Sequence, residues 1–120
     1  MLCTLLKAKI HNARVTEADL NYEGSITIDQ TLMEAAGILP YEKVQVLNIS
    51  NGARAETYVI TGEKESGGIV MNGAIARMAQ VGDRVIILAY IQIEEKRALD
   101  WHPVMVLVDK DNRITKIRTQ

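Results

Sequence analysis

Two strand-like segments, 43–50 and 53–61, are joined by Asn51-Gly52 near the middle of the chain. Asn-Gly pairs favour two-residue hairpin turns, because both residues tolerate the positive φ angles that match the twist of paired strands. Valine, isoleucine and threonine make up 32 of the 120 residues, and their branched side chains favour strands. The chain is therefore predicted to fold mainly from short β-strands.

Similar patterns predict further short strands at 6–11, 25–28, 69–71, 84–92, 104–108 and 113–118. A helix is predicted over 30–36, because Asp29 can cap its first turn and Gly37 can end it. Shorter helical segments are expected at 73–80, opened by Asn72, and at 94–100. Many short strands with a few short helices favour a small closed barrel, which leaves no exposed strand edges.

Length and charge limit the class of protein. At 120 residues the chain is expected to form one domain, residues 1–120. Its net charge of −1 favours neither nucleic acid nor an anionic membrane as a partner. The longest apolar run, 85–91, is far shorter than the roughly 20 residues of a membrane-spanning helix.

The few cysteine and histidine residues limit the chemistry. Cys3 is the only cysteine, so no internal disulfide can form and a cytoplasmic location is expected. Together with Cys3, His11 and His102 do not have a zinc-binding spacing, and no metal site is expected.

Gly24-Ser25 stands at the start of the predicted strand 25–28. A glycine before a serine is usually only a turn. The pair can also react, because a serine hydroxyl can attack the preceding carbonyl when the backbone is strained, which gives an ester in place of the amide. Elimination then leaves a dehydroalanine and hydrolysis leaves a pyruvoyl group, so the chain would make its own ketone cofactor.

Several polar residues could surround such a group. Arg54 and Tyr58 share one face of the second hairpin strand, where arginine suits a carboxylate and tyrosine can donate a proton to a carbanion. Lys9 is a second candidate cation, and Asn72-Gly73 can open a helix end that binds anions. Each also has an ordinary explanation as a solvated strand face, an exposed lysine or a turn.

In combination these motifs resemble the aspartate 1-decarboxylase family, pyruvoyl-dependent enzymes that make β-alanine for pantothenate synthesis. The matching segments follow the expected order and lie at 7–11, 18–29, 35–40, 51–52, 54, 56–60, 72–74 and 81–83. The region after residue 93 resembles the family only loosely. The resemblance implies a six-stranded double-psi β-barrel with a few short helices, usually a homotetramer whose active sites lie between subunits.

The resemblance also implies a self-processed enzyme. Cleavage between Gly24 and Ser25 gives a β chain, residues 1–24, and an α chain, residues 25–120. Ser25 becomes a covalently bound pyruvoyl group, and the amine of L-aspartate forms a Schiff base with it, without PLP or a metal. Some members of the family need a helper protein for this maturation.

The family's site residues carry over to matching positions. Tyr58 corresponds to the proton donor, and Lys9 and Arg54 correspond to residues that hold substrate carboxylate. Thr57 corresponds to a residue that assists self-cleavage and binds substrate. Asn72 corresponds to a pocket residue that hydrogen-bonds. The backbone segment that contacts substrate corresponds to Gly73, Ala74 and Ile75. Two positions near the cleavage point correspond to His11 and Tyr22. Ile75 stands where many relatives have alanine, and its larger side chain can narrow the pocket.

Two other functions share parts of this pattern. A small acid-binding or scaffold barrel without the chemistry would remain one uncut chain, and Ser25→Ala would leave its ligand binding unchanged. A β-hairpin DNA-binding regulator would also have many short strands. It would carry a clustered basic strip and a positive net charge, and the net charge of −1 argues against it.

Overall fold

The computed structural model describes residues 1–119 and consists mainly of β-strands with a few short helices, as predicted. The six-strand count is wrong, because the described residues form nine strands. They are β1 (Leu2–Arg14), β2 (Glu17–Asp19), β3 (Ser25–Asp29), β4 (Lys43–Asn48), β5 (Arg54–Gly62), β6 (Ile69–Asn72), β7 (Arg84–Glu94), β8 (Val104–Val108) and β9 (Ile114–Thr119).

The helices follow local capping signals. Helix α1 (Gln30–Ala36) has the predicted bounds: the Asp29 side chain accepts a hydrogen bond from the Thr31 backbone, and Gly37 ends the helix at a φ of 72°. The segment predicted at 73–80 is instead a shorter 3₁₀ helix, Gly73–Met78. Helix α2 (Glu95–Ala98) lies within the predicted 94–100 segment.

The β4–β5 connection differs from the predicted two-residue turn. The loop extends from residue 49 to residue 53, and of its residues only Gly52 has a positive φ, 79°. The reason is the buried Asn48, whose side-chain oxygen accepts hydrogen bonds from the backbone of Ser50 and Asn51. These bonds stabilise a longer loop in which Asn51 does not need a positive φ.

All nine strands form one sheet in the order β2-β6-β3-β5-β4-β7-β1-β8-β9. Thr16, two residues after β1, joins the two ends of the six-strand row from β6 to β1: its backbone N–H donates to the Ile69 carbonyl at 2.8 Å, and its hydroxyl accepts from the Ile69 N–H at 3.0 Å. The sheet thus curls around one core. Its fully buried side chains include Ile10, Ile26, Ile28, Val59 and Ile87. The additional strands extend this row, β2 beside β6 and the β8–β9 hairpin beside β1.

The carboxylate of Asp29 anchors the C-terminal end of β3. It is 1% exposed and accepts hydrogen bonds from the backbone N–H groups of Thr31, Glu65 and Gly67, at 2.8 to 2.9 Å. A buried carboxylate is costly unless such donors surround it. Asp29 therefore ties β3 and the start of α1 to the loop between β5 and β6.

Among residues 1–119, no helix combines the length and the apolar character that crossing a membrane requires.

We predict that Asp29→Ala lowers the free energy of unfolding by about 2 to 4 kcal/mol, because it removes a helix cap and leaves the buried Gly67 N–H without its acceptor. Urea denaturation at one fixed protein concentration measures the change. Asp100→Ala is the control, since Asp100 is exposed just after α2 and its carboxylate makes no hydrogen bond within residues 1–119. Equal effects of the two substitutions would contradict this role of Asp29.

Candidate active site

Ser25 is the first residue of β3 and is fully buried, whereas the preceding Gly24 is exposed. Ile26 and Ile28, both 0% exposed, point into the core. Because side chains alternate along a strand, Ser25 and Thr27 point to the other side of β3. The predicted reactive pair therefore lies where the chain passes from an exposed turn into a buried strand.

Asn72 holds the Ser25 hydroxyl. It lies opposite Ser25 in the β3–β6 pairing and is 3% exposed. Its side-chain amide donates to Ser25 Oγ at 3.0 Å and to Thr27 Oγ1 at 2.9 Å. The Ser25 hydroxyl in turn donates to the Glu23 carbonyl at 3.4 Å. The prediction that Asn72 caps a helix is wrong, because its side chain makes no cap hydrogen bond and its amide is engaged by these two hydroxyls.

Gly73 packs directly against the backbone before the reactive pair. A Cβ atom at Gly73 would lie 2.7 Å from Gly24 Cα and 2.7 Å from the Tyr22 carbonyl oxygen. Gly73 also has a φ of 67°, which side chains rarely tolerate. The structure thus brings together the backbones of Tyr22, Gly24 and Gly73, while the Tyr22 side chain remains largely exposed.

A cavity of about 220 Å³ opens beside Ser25. Six of the predicted site residues line it, and three further residues complete its wall. The six are Gly24, Ser25, Thr57, Asn72, Ala74 and Ile75, and the three are Ala55, Glu56 and Met78. Ile75 is 6% exposed and also belongs to the core, so its side chain forms part of both the cavity wall and the core.

Arg54 and Tyr58 lie next to this cavity but do not line it. Arg54 lines a small adjoining cavity of about 10 Å³, and this cavity shares Ala55, Ile75 and Met78 with the Ser25 cavity. In the parallel pairing of β3 and β5, Ile26 is opposite Val59. Ser25 and Tyr58 each lie one residue before these two, so the Tyr58 backbone is across from Ser25. Its ring is 38% exposed and lies 6.4 Å from the Tyr41 ring, between centroids.

The structure does not bring Lys9 and His11 to Ser25 within one chain. On β1, Ala8 and Ile10 are 0% exposed, so Lys9 and His11 point away from the core. Ser25 faces away from the same core on a different wall of the sheet. The packed side chains of β1 and β3 therefore separate Lys9 from Ser25.

His11 lies among positive charges. Burial lowers its pKa first, and the nearby charges of Lys9, Arg118 and Arg84 lower this pKa further. Its Nδ1 atom is buried and has no hydrogen-bond partner within residues 1–119. These surroundings favour a neutral His11 imidazole. The positive charges around His11 are therefore those of Lys9, Arg84 and Arg118.

A larger groove lies between β4, β5 and β7, but none of the predicted site residues lines it. Its volume is about 430 Å³, and its most polar feature is the Lys43–Glu56 ion pair at 2.8 Å. Both partners of this pair are exposed, and the one buried residue among those that line the groove is the apolar Val44. The cavity beside Ser25 is therefore the better candidate for the active site.

Thr27 is a polar neighbour of Ser25 that was not among the predicted site residues. The signal was present in the alternation Ser25-Ile26-Thr27, which places both hydroxyls on one side of the strand. The cavity residues Ala55 and Met78 carry no such signal, because an apolar wall residue resembles any core residue. Within residues 1–119, no cluster of three His, Cys, Asp or Glu side chains is arranged to hold a metal ion.

Comparison with known proteins agrees with the sequence motifs. The model of the family described as Aspartate decarboxylase matches residues 1–115. The protein named Aspartate 1-decarboxylase from Carboxydothermus hydrogenoformans is 60% identical over 98% of this chain and 93% of its own length. A protein of the same name from Lactiplantibacillus plantarum is 61% identical over 97% of this chain and 89% of its own length. Another, from Clostridium beijerinckii, is 60% identical over 98% of this chain and 94% of its own length.

The solved structure of the rationally designed mkDPBB_sym_86 protein matches 68% of this chain and 94% of its own chain, with a TM-score of 0.49 and 12% sequence identity. This likeness is too distant to define the fold. The family model and the three relatives, in contrast, cover nearly the whole chain. They confirm the resemblance found in the sequence, and the chain belongs to the aspartate decarboxylase family.

Proposed function

We propose that this chain decarboxylates L-aspartate to β-alanine and carbon dioxide and so supplies β-alanine for pantothenate and coenzyme A synthesis. The observation that carries the proposal is the buried Ser25 hydroxyl, which Asn72 holds at 3.0 Å beside the exposed Gly24 and at the wall of a cavity. A surface turn would not need a buried serine with a fixed hydroxyl. Family membership favours L-aspartate as the substrate.

Maturation begins with self-cleavage between Gly24 and Ser25. Ser25 Oγ bonds to the Gly24 carbonyl carbon, the peptide C–N bond breaks, and the hydroxyl proton passes to the released Ser25 amine. The ester then loses the Ser25 Cα proton and the Gly24 carboxylate, and hydrolysis of the dehydroalanine releases ammonia and leaves the pyruvoyl group. The products are chains 1–24 and 25–120.

We assign to Thr57 the role of assisting the first of these steps. In the parallel pairing of β3 and β5, Ile26 is opposite Val59. Gly24 lies two residues before Ile26 and Thr57 lies two residues before Val59, so the backbones of Gly24 and Thr57 are across from each other. Both residues line the cavity. A hydroxyl here can donate to the Gly24 carbonyl oxygen as negative charge develops on it, which lowers the barrier to attack.

The surroundings of Ser25 fit a pyruvoyl group. Ser25 is fully buried and also lines the cavity, so a ketone formed from it is sheltered by protein and still reachable by a small ligand. When present, the pyruvoyl group supplies the electron sink that decarboxylation needs. The cavity wall of Asn72, Ala74 and Ile75, with the adjacent Gly73, then contacts the substrate through its backbone and the Asn72 amide.

Charged and acidic groups complete the proposed site. Arg54 binds a substrate carboxylate, for which its planar guanidinium is suited. Lys9 binds carboxylate as a second cation. Tyr58 donates a proton to the carbon from which carbon dioxide leaves. Its backbone position across from Ser25 supports this assignment.

Lys9 reaches Ser25 only if a second copy of the chain supplies it, because the core separates the two residues within one chain. We therefore propose that the chain forms a homo-oligomer, a tetramer as the family implies, and that its active sites lie between subunits. His11 accompanies Lys9 on the same face of β1. We also propose that the curled sheet, which the Thr16–Ile69 hydrogen bonds help to close, has the double-psi barrel fold of the family.

We expect the purified chain to separate into fragments 1–24 and 25–120, the latter with a blocked N terminus. Ser25→Ala is expected to fold, remain uncut and lack decarboxylation, because the attacking oxygen is gone. Intact mass, N-terminal sequencing and β-alanine formation measure these outcomes. An α chain that never forms, even after prolonged incubation, would contradict self-processing. Cleavage that appears only with cell extract would show that a helper protein is required.

Tyr58→Phe is expected to mature normally but to lower kcat at least about 100-fold, the usual contribution of a general acid. The phenyl ring still packs near Tyr41, and only the proton source is lost. Tyr41→Phe is the matched control, since Tyr41 is 76% exposed and the two rings are neighbours. A Tyr58→Phe enzyme with wild-type kcat would exclude Tyr58 as the donor.

Gly73→Ala is expected to slow self-cleavage at least about 10-fold, because contacts of 2.7 Å would push the Tyr22–Gly24 backbone away from its place. Gly52→Ala is the control: Gly52 also has a positive φ, 79°, but a Cβ there would meet nothing within 4 Å. Both substitutions add comparable backbone strain, so the difference in cleavage rate, followed by mass spectrometry, isolates the contact with Gly24. Equal rates would refute the contact's role.

A further inference from the structure

We propose that Thr27 is a positioning residue for self-cleavage, acting on Ser25 through the side chain of Asn72. The inference rests on the proposed function, because it concerns the step in which Ser25 Oγ attacks the Gly24 carbonyl. Among residues 1–119, the Thr27 hydroxyl hydrogen-bonds Asn72 and not the attacking Ser25 hydroxyl. Its effect comes from fixing the group that holds Ser25.

The geometry links three side chains in one row. Asn72 Nδ2 lies 3.0 Å from Ser25 Oγ and 2.9 Å from Thr27 Oγ1. An amide nitrogen carries two hydrogens, so one hydrogen serves each hydroxyl. Asn72 is 3% exposed, which leaves little opportunity for water to replace either acceptor.

This arrangement determines how the Ser25 hydroxyl is oriented. Its oxygen accepts one hydrogen bond from Asn72, and its hydrogen points to the Glu23 carbonyl at 3.4 Å. A hydroxyl oxygen has two lone pairs, so one remains free for attack on the Gly24 carbonyl carbon. In the attack, the Oγ–C bond forms, the C–N bond breaks, and the hydroxyl proton ends on the Ser25 amine.

Without the Thr27 hydroxyl, one amide hydrogen of Asn72 would lose its acceptor in a buried place. A buried donor without a partner is costly, and the terminal torsion of asparagine has a broad energy profile. The carboxamide would therefore rotate away from its present orientation. Ser25 would then lose the contact that holds its rotamer and its free lone pair.

Thr27→Val tests the proposal, because valine keeps the branched shape on β3 and removes only the hydroxyl. We expect self-cleavage to slow about 5-fold or more, the rate equivalent of one net hydrogen bond. Thr27→Ser restores the hydroxyl and is expected to restore most of the rate. Thr61→Val is the matched control, since exposed Thr61 pairs with Ile28 across the same two strands and its hydroxyl makes no hydrogen bond within residues 1–119.

Cleavage is followed by intact mass on freshly purified precursor, and the melting temperature of each variant is recorded in parallel. Cleavage that is slower in Thr27→Val than in Thr61→Val, in a variant that still unfolds in one cooperative transition, and that serine restores, supports the proposal. A Thr27→Val rate equal to wild type, or a loss that serine does not rescue, overturns it.

A double-substitution experiment tests whether Thr27 acts through Asn72. In an Asn72→Ala background the hydrogen-bonded row no longer exists, so adding Thr27→Val is expected to change the residual cleavage rate less than 2-fold. A further 5-fold loss in that background would show that Thr27 acts independently, against the proposal. If wild-type chain itself stays uncut, the proposed function fails and the inference fails with it. If wild type is cut and Thr27→Val is cut equally fast, only the inference fails.

Discussion

Strand β3 pairs with β5 on one side and with β6 on the other, and the arrangement of the site depends on this double pairing. It buries Ile26 and Ile28 in the core and directs Ser25 and Thr27 to the opposite side. Both ends of this five-residue strand are anchored. Asp29 accepts three backbone hydrogen bonds at one end, and Asn72 holds Ser25 at the other.

The anchoring has a consequence for self-cleavage. The proposed cut falls at the N-terminal boundary of β3, between an exposed glycine and a buried serine. The residues that hold β3 all lie on the α-chain side of this boundary, so cutting the chain leaves the pairings of Ile26 to Asp29 intact. Gly24 itself lies outside β3, on the exposed side of the cut, where Gly73 packs closely against its backbone.

Local signals in the sequence predicted those elements whose formation depends on neighbouring residues. Helix α1 is one such element, because Asp29 and Gly37 cap it regardless of the rest of the fold. The Asn51-Gly52 turn was predicted in the right place but with the wrong length. Its form depends on Asn48, the last residue of β4, whose buried side chain accepts a hydrogen bond from the Ser50 N–H and donates one to the Met78 carbonyl of the 3₁₀ helix. Asn72 was predicted as a cap for a similar reason: its partners, Ser25 and Thr27, lie more than 40 positions away in sequence.

Side-chain identity and short-range spacing were enough to predict the family and the mainly β character, and to propose a set of site residues. Tertiary structure alone decided which of those residues meet. It placed Thr57, Asn72 and Ile75 on one cavity with Ser25, and it put Lys9 on the far side of the core. The physical reason is that these contacts arise from strand pairings between distant segments, and their register is set by packing of the whole core.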